Sequence, residues 1–232
     1  MGLLTSIFAN AVDEEFRLAQ DLVAIAIADG SISEKEYNMM VKICHSVGIS
    51  TEVIDTYIRD EAHVVQDDIP MRDVDKADYL SKLIQVMAID GKSSQMEIFL
   101  LEVIAGKMGV SRMQLLSLVL TTTSRRNLPG DTGSKALSSF LKNIIDPKTK
   151  TLAENMENLR TVVNMMAEHI QRHQPQTDTD ALSHEMEAAA ALLAENEVLN
   201  REFSSMGLNF KHTVLIECSQ AIRRRTLPSL LG

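Results

Sequence analysis

Four carboxylates stand out by type and spacing. Asp29 and Glu36 lie in Asp29-Gly30-Ser31-Ile32-Ser33-Glu34-Lys35-Glu36. Asp90 and Glu97 hold the same places in Asp90-Gly91-Lys92-Ser93-Ser94-Gln95-Met96-Glu97, 61 residues later. Clustered carboxylate oxygens are the usual ligands of hard divalent cations, so the first chemistry to test is metal binding. An EF-hand loop places oxygen ligands at positions 1, 3 and 5, Gly at 6 and Glu at 12. With Gly30 set at the glycine position, Asp29 and Glu36 fall correctly, but the first two ligand positions are Ile25 and Ile27. In the second copy they are Val86 and Ala88. A standard EF-hand is therefore excluded.

Two readings stay open for these residues. In one, Gly30 and Gly91 end helices, Glu36 and Glu97 complete Ser-x-x-Glu capping boxes, and Asp29 and Asp90 make Asx-turns. In the other, Asp29, Glu36, Asp90 and Glu97 hold a divalent cation. A carboxylate in the last turn of a helix opposes the helix dipole, so Asp29 and Asp90 each require a compensating partner, either backbone N–H groups or a cation.

Other candidate groups are simpler. His169 and His173 stand at metal-pair spacing on a helix. Glu168 precedes His169, so the pattern is not HExxH, and imidazoles near a helix C-terminus are favoured by the dipole alone. Cys44 and Cys218 fall on apolar helical patterns and read as buried free thiols of a reducing compartment. Arg223–Arg225 close the last helix, where cations belong. No Ser/His/Asp or Cys/His arrangement, P-loop or dinucleotide fingerprint is present.

The elements that must position the carboxylates repeat with them. Apolar positions keep step across the same offset: Leu22 with Leu83, Val23 with Ile84, Ile43 with Ile104, Val47 with Met108, Ile54 with Leu115. Gly48-Ile49-Ser50 recurs as Gly109-Val110-Ser111. Each copy reads as three helices. The first carries Phe16, Ala19, Leu22, Val23, Ala26 and Ile27; the second is opened by Ser33 or Ser94 and stopped by Gly48 or Gly109; the third is capped by Ser50 or Ser111. The expected fold is all-α: a pseudo-twofold bundle of two three-helix repeats, with a C-terminal extension of long antiparallel helices. The helical domain spans 1–124, with repeats at about 14–62 and 75–123. An acidic join, Arg59–Asp78, separates the copies.

The motif Ala28-Asp29-Gly30-x-Ile32-Ser33-x-x-Glu36 with Gly48-Ile49-Ser50, and its second copy, resembles the tellurite-resistance protein B (TerB-like) superfamily, over about residues 12–123. That domain also occurs at the N-terminus of DnaJ-type membrane co-chaperones. The resemblance implies an all-helical pseudo-symmetric fold and a divalent-metal site at Asp29, Glu36, Asp90 and Glu97. It also implies links to tellurium and other chemical stress, phage defence and complexes near the membrane. Lys92-Ser93 departs from the family pattern, which commonly carries a further acidic or polar pair there. Tellurite itself is an oxyanion and would be repelled by an acidic domain with no Arg cluster beside the motif.

Beyond residue 125 the pattern changes. RRNLPGDTG (125–133) is a linker by composition, and 134–232 is a separate helical region. Helices are expected at Ser134–Ile145, Thr151–His173, Asp180–Phe203 and Phe210–Arg225. Composition sets the outer bounds. The chain has 232 residues, 4% aromatic, no Trp and 13 Met, which excludes a β-sandwich or barrel. Its 23 Lys and Arg against 32 Asp and Glu give net −9, disfavouring nucleic acid as a partner. All of the excess negative charge lies within residues 1–124. The longest apolar run, Ala188–Ala194, is far short of a bilayer span, and no basic n-region precedes the first apolar run. A cytoplasmic protein is expected, with no membrane span. The functional expectation is a non-enzymatic TerB-like stress-response module that binds a protein partner, a divalent cation, or both through its acidic face. The competing classes are a metal-dependent hydrolase at the same carboxylates and a scaffold that self-associates through its C-terminal helices.

Overall fold

Apolar residues at three- and four-residue spacing, and Ser or Thr followed three residues later by Glu or Gln, dictate helices almost everywhere in this chain. The computed structural model describes residues 2–61, 73–90, 93–125, 145, 149–173 and 179–226. Among these residues there are ten helices and no strand. They are α1 (Gly2–Ala26), α2 (Glu34–Ser46), α3 (Thr51–Arg59), α4 (Asp73–Ala88), α5 (Gln95–Lys107), α6 (Arg112–Arg125), α7 (Leu152–His173), α8 (Thr179–Ala194), α9 (Glu197–Ser205) and α10 (Phe210–Thr226). The linker at 126–133, the expected helix from Ser134, and Pro147 lie outside the described residues.

The chain divides into two compact units, Met1–Val110 and Ser111–Gly232. In the first unit α1 is central and packs on α2, α3, α4 and α5, while α2 also meets α3 and α4, and α4 meets α5. The core is aliphatic: Leu22, Ile25, Met40, Ile54, Leu80, Leu83, Ile84, Met87 and Leu101 are all fully buried. Helix ends are set by two glycines. Gly48 and Gly109 have φ of +84° and +70°, a region in which a Cβ is strained. There the chain folds back so that the Ile49 N–H donates to Cys44 O at 2.9 Å and the Val110 N–H to Ala105 O at 2.9 Å. These six-to-one bonds satisfy carbonyls that a helix end would otherwise leave open.

The second unit is built from α6, α7, α8 and α10. Helix α6 packs on α7 and α8, α10 packs on α7 and α8, and the short α9 leans on α10. Ala189 and Ala190, both buried, keep the helices close, and Phe203 meets Phe210 with ring centroids 4.7 Å apart. Two departures from the sequence reading stand out. The stretch expected as one helix from Asp180 to Phe203 is two, because Asn196 is buried and its side chain accepts the Leu199 N–H at 3.0 Å, starting α9 afresh. Helix α6, read as the third helix of the second copy, packs with the second-half helices. Its counterpart α3 packs on α1 and α2. The buried hydroxyls of α6 are satisfied within the helix, Thr121 donating to Ser117 O at 2.9 Å and Thr123 to Val119 O at 2.7 Å.

Candidate functional site

The two capping boxes form as the spacing requires. The Ser33 N–H donates to Glu36 Oε2 at 2.7 Å while Ser33 Oγ accepts the Glu36 N–H at 3.2 Å. In α5 the Ser94 N–H donates to Glu97 Oε2, and Ser94 Oγ accepts the Glu97 N–H at 3.1 Å. A third box opens α6, with the Ser111 N–H on Gln114 Oε1 at 2.8 Å. Ser50 also sits at an N-cap, but its hydroxyl makes no bond to the α3 backbone. The expected hydroxyl cap of α3 is therefore absent, since Ser50 turns to the Glu52 carboxylate, holding it below its usual range.

Capping glutamates are commonly exposed, but these are not. Glu36 is 5% exposed and Glu97 1%. Burial therefore dominates their titration. It raises the Glu36 carboxyl above its ordinary value despite the Ser33 bonds, and the charges of Asp90 and Asp29 add to the rise. It pushes Glu97 up to about 7, again against the Ser94 bonds, with Glu36 and Asp29 adding. The fold thus brings the carboxylates of the two copies within electrostatic reach of one another. Spacing alone could not establish that.

Asp29 lies in the turn after α1, past the last helical residue, Ala26. Its Oδ1 accepts the Ser31 N–H at 3.0 Å and the Ser31 hydroxyl at 3.2 Å. This is the backbone partner that the Asx-turn reading called for, and Gly30 takes φ +92° beside it. Asp90 is half-buried in the matching turn after α4; Gly91 and Lys92 are outside the described residues. Among the described residues, no group of three or more His, Cys, Asp or Glu is placed to hold a metal ion. Local caps and turns occupy one oxygen each of Asp29, Glu36 and Glu97.

Polar groups that the spacing did not flag also meet in the first unit. Asp21 is completely buried and accepts the Tyr79 hydroxyl at 2.7 Å, with Arg17 Nε 3.8 Å away. The signal was present: Asp21 sits on the face of α1 that carries Leu18 and Leu22. Near it, Glu14, Glu15, Asp75 and Asp78 line a cleft of about 300 Å³ with Tyr79, and Lys82 pairs with Asp78 at 2.7 Å. In the second unit Glu217, 4% exposed, accepts Arg160 Nε at 3.0 Å. Arg225, which the sequence assigns to a helix end, reaches across to α7. It donates to Asn164 O at 3.0 Å and lies 3.6 Å from Glu168. His169 and His173 both fall on α7, but their side chains are not among those described. Burial pushes the Cys44 thiol up to about 11 and Cys218 up to about 12, so neither is an activated nucleophile.

Among the described residues, no helix is long and apolar enough to cross a membrane. No protein-family model, curated protein or solved structure matches the chain.

Proposed function

We propose that this chain is a non-enzymatic, TerB-like interaction module whose residues 1–124 derive from two copies of one three-helix element. Its carboxylates Asp29, Glu36, Asp90 and Glu97 take up a divalent cation, and its acidic surface engages a protein partner. The tellurite and chemical-stress setting comes from the resemblance of the motif. A cation or a partner, rather than the oxyanion, is the ligand that a net negative surface attracts.

One observation carries the reading. The two buried glutamates, 61 residues apart in the chain, each feel carboxylates of the other copy. Two aspartates gathered beside two buried glutamates are held at a cost, and a divalent cation or protons remove it. The carboxylate oxygens of Asp29, Glu36 and Glu97 supply hard ligands of the kind that Ca²⁺ and Mg²⁺ prefer. Long antiparallel helices form the C-terminal extension in this reading, and self-association through them is the competing scaffold reading.

Calorimetric titration of chelator-treated protein with Ca²⁺, Mg²⁺, Mn²⁺ and Zn²⁺ tests the cation site. Asp29→Asn/Asp90→Asn serves as the comparison. Binding by the parent that is lost in the variant supports the site. With Glu97 near half-protonated at neutral pH, binding at pH 7 also releases protons, so the apparent enthalpy depends on the buffer's ionisation heat. Absence of binding in the parent, or equal binding in the variant, overturns it.

A further inference from the structure

Helix α5 is apolar on two faces, and among the described residues only one of them is fully covered. Ile98, Leu101, Ile104 and Ala105 are buried against the first unit. On the other side Met96 is 52% and Phe99 56% exposed, and Leu100 and Val103 are half-buried. These four lie at i, i+3, i+4 and i+7, a single stripe along the helix. Helix α2, 61 residues earlier, is opened by the same capping box and buries the matching positions, Glu36, Met40, Ile43 and Cys44. Its outward positions carry Lys35, Asn38, Met39 and Lys42. One sequence pattern thus faces water with lysines in the first copy and with Met and Phe in the second. The core needs neither set, so a requirement outside the unit accounts for the apolar one. Exposed Met and Phe are the residue types that concentrate at protein interfaces.

We propose that the outer face of α5 is a docking surface for one amphipathic helix of a partner protein, its apolar stripe flanked by Lys and Arg. Charge selects this occupant. Residues 1–110 hold 9 Lys and Arg against 19 Asp and Glu, a net of −10. A basic helix is attracted to that unit, and a second copy of it is repelled. Size agrees. Four partly covered side chains offer well under the roughly 800 Å² per side of a stable dimer. They match the i, i+3, i+4, i+7 anchors by which a single helix seats on an apolar surface. Glu97 is buried on the other side of α5, so this surface operates independently of the proposed cation site.

The test uses the full chain and two fluorescently labelled helical peptides. Both carry Leu at stripe spacing; one has Lys and the other Glu at the remaining positions. Anisotropy titrations are run on the parent, on Met96→Gln/Phe99→Asn, which leaves the charge unchanged, and on Met96→Leu/Phe99→Leu, which stays apolar. The Leu/Lys peptide binds the parent saturably and at least tenfold more tightly than the Leu/Glu peptide. The polar variant, with unaltered helical circular dichroism, loses roughly tenfold or more in affinity, and the Leu variant keeps it. The proposal falls if the parent binds neither peptide, or if the polar variant binds the Leu/Lys peptide as well as the parent does. It falls equally if sedimentation shows the parent to be a dimer that the polar variant dissolves, since a second copy would then occupy the face.

Discussion

Replacing Glu97 by Gln keeps the shape of the side chain and an oxygen to accept the Ser94 N–H, and removes only the charge. Glu97 titrates near 4.5 when unfolded and at about 7 in the folded chain. A group whose folded pKa is raised lends stability in its protonated form. That stability is whole below pH 4.5 and is lost as the pH rises through 7. The interval corresponds to about 3 kcal/mol between the two protonation states, an upper figure because the unit relaxes around a charge. Glu97→Gln should therefore unfold like the parent near pH 4.5 and be more stable by about 2–3 kcal/mol at pH 8. In melting temperature that is roughly 10 °C for a domain of this size. Tyrosine fluorescence is the appropriate probe. The chain has no Trp and only 3 Tyr, at positions 37, 57 and 79, all within the first unit. Its denaturation transition thus reports that unit alone. A Glu97→Gln protein no more stable than the parent at pH 8 would refute the reasoning. So would one stabilised equally at both pH values, since the buried carboxyl would then not be the titrating group.

Three further outcomes follow from the packing. Tyr79→Phe leaves the buried Asp21 short of a hydrogen bond and should cost about 1–3 kcal/mol in chemical denaturation followed by circular dichroism. Asn196→Ala removes the cap that begins α9 and should lower the stability of the second unit by about 1–2 kcal/mol, with the tyrosine signal of the first unit unmoved. Gly109→Ala meets no atom within 4 Å of the new Cβ, so its cost is backbone strain alone, about 1–2 kcal/mol in the thermal midpoint of the first unit. A much larger loss would mean that the φ of +70° is held by more than the turn itself.

Local chemistry decided most of what could be read without coordinates. Ser33-x-x-Glu36 and Ser94-x-x-Glu97 open helices because their bonds close within one turn. Gly48 and Gly109 stop them because only glycine takes that φ without strain. Phe210–Arg225 was legible to within a residue, since the apolar period and the basic last turn agree. The break at Asn196 was not. Ala, Leu and Glu surround it with high helix propensity, and only its burial between helices makes capping outweigh continuation. The partnership of α6 was equally hidden. Its apolar stripe resembles that of α3, and a stripe states that a helix packs without saying on what. For the carboxylates, the residue types and the two capping boxes were legible from spacing, whereas the Asx-turn at Asp29 was one of two open readings until the Ser31 bonds to its Oδ1 were seen. Tertiary structure alone decided that Glu36 and Glu97 lie buried, each within reach of a carboxylate of the other copy. Hydrogen bonds across three residues are set by the chain itself, whereas desolvation and repulsion depend on what distant segments bring alongside.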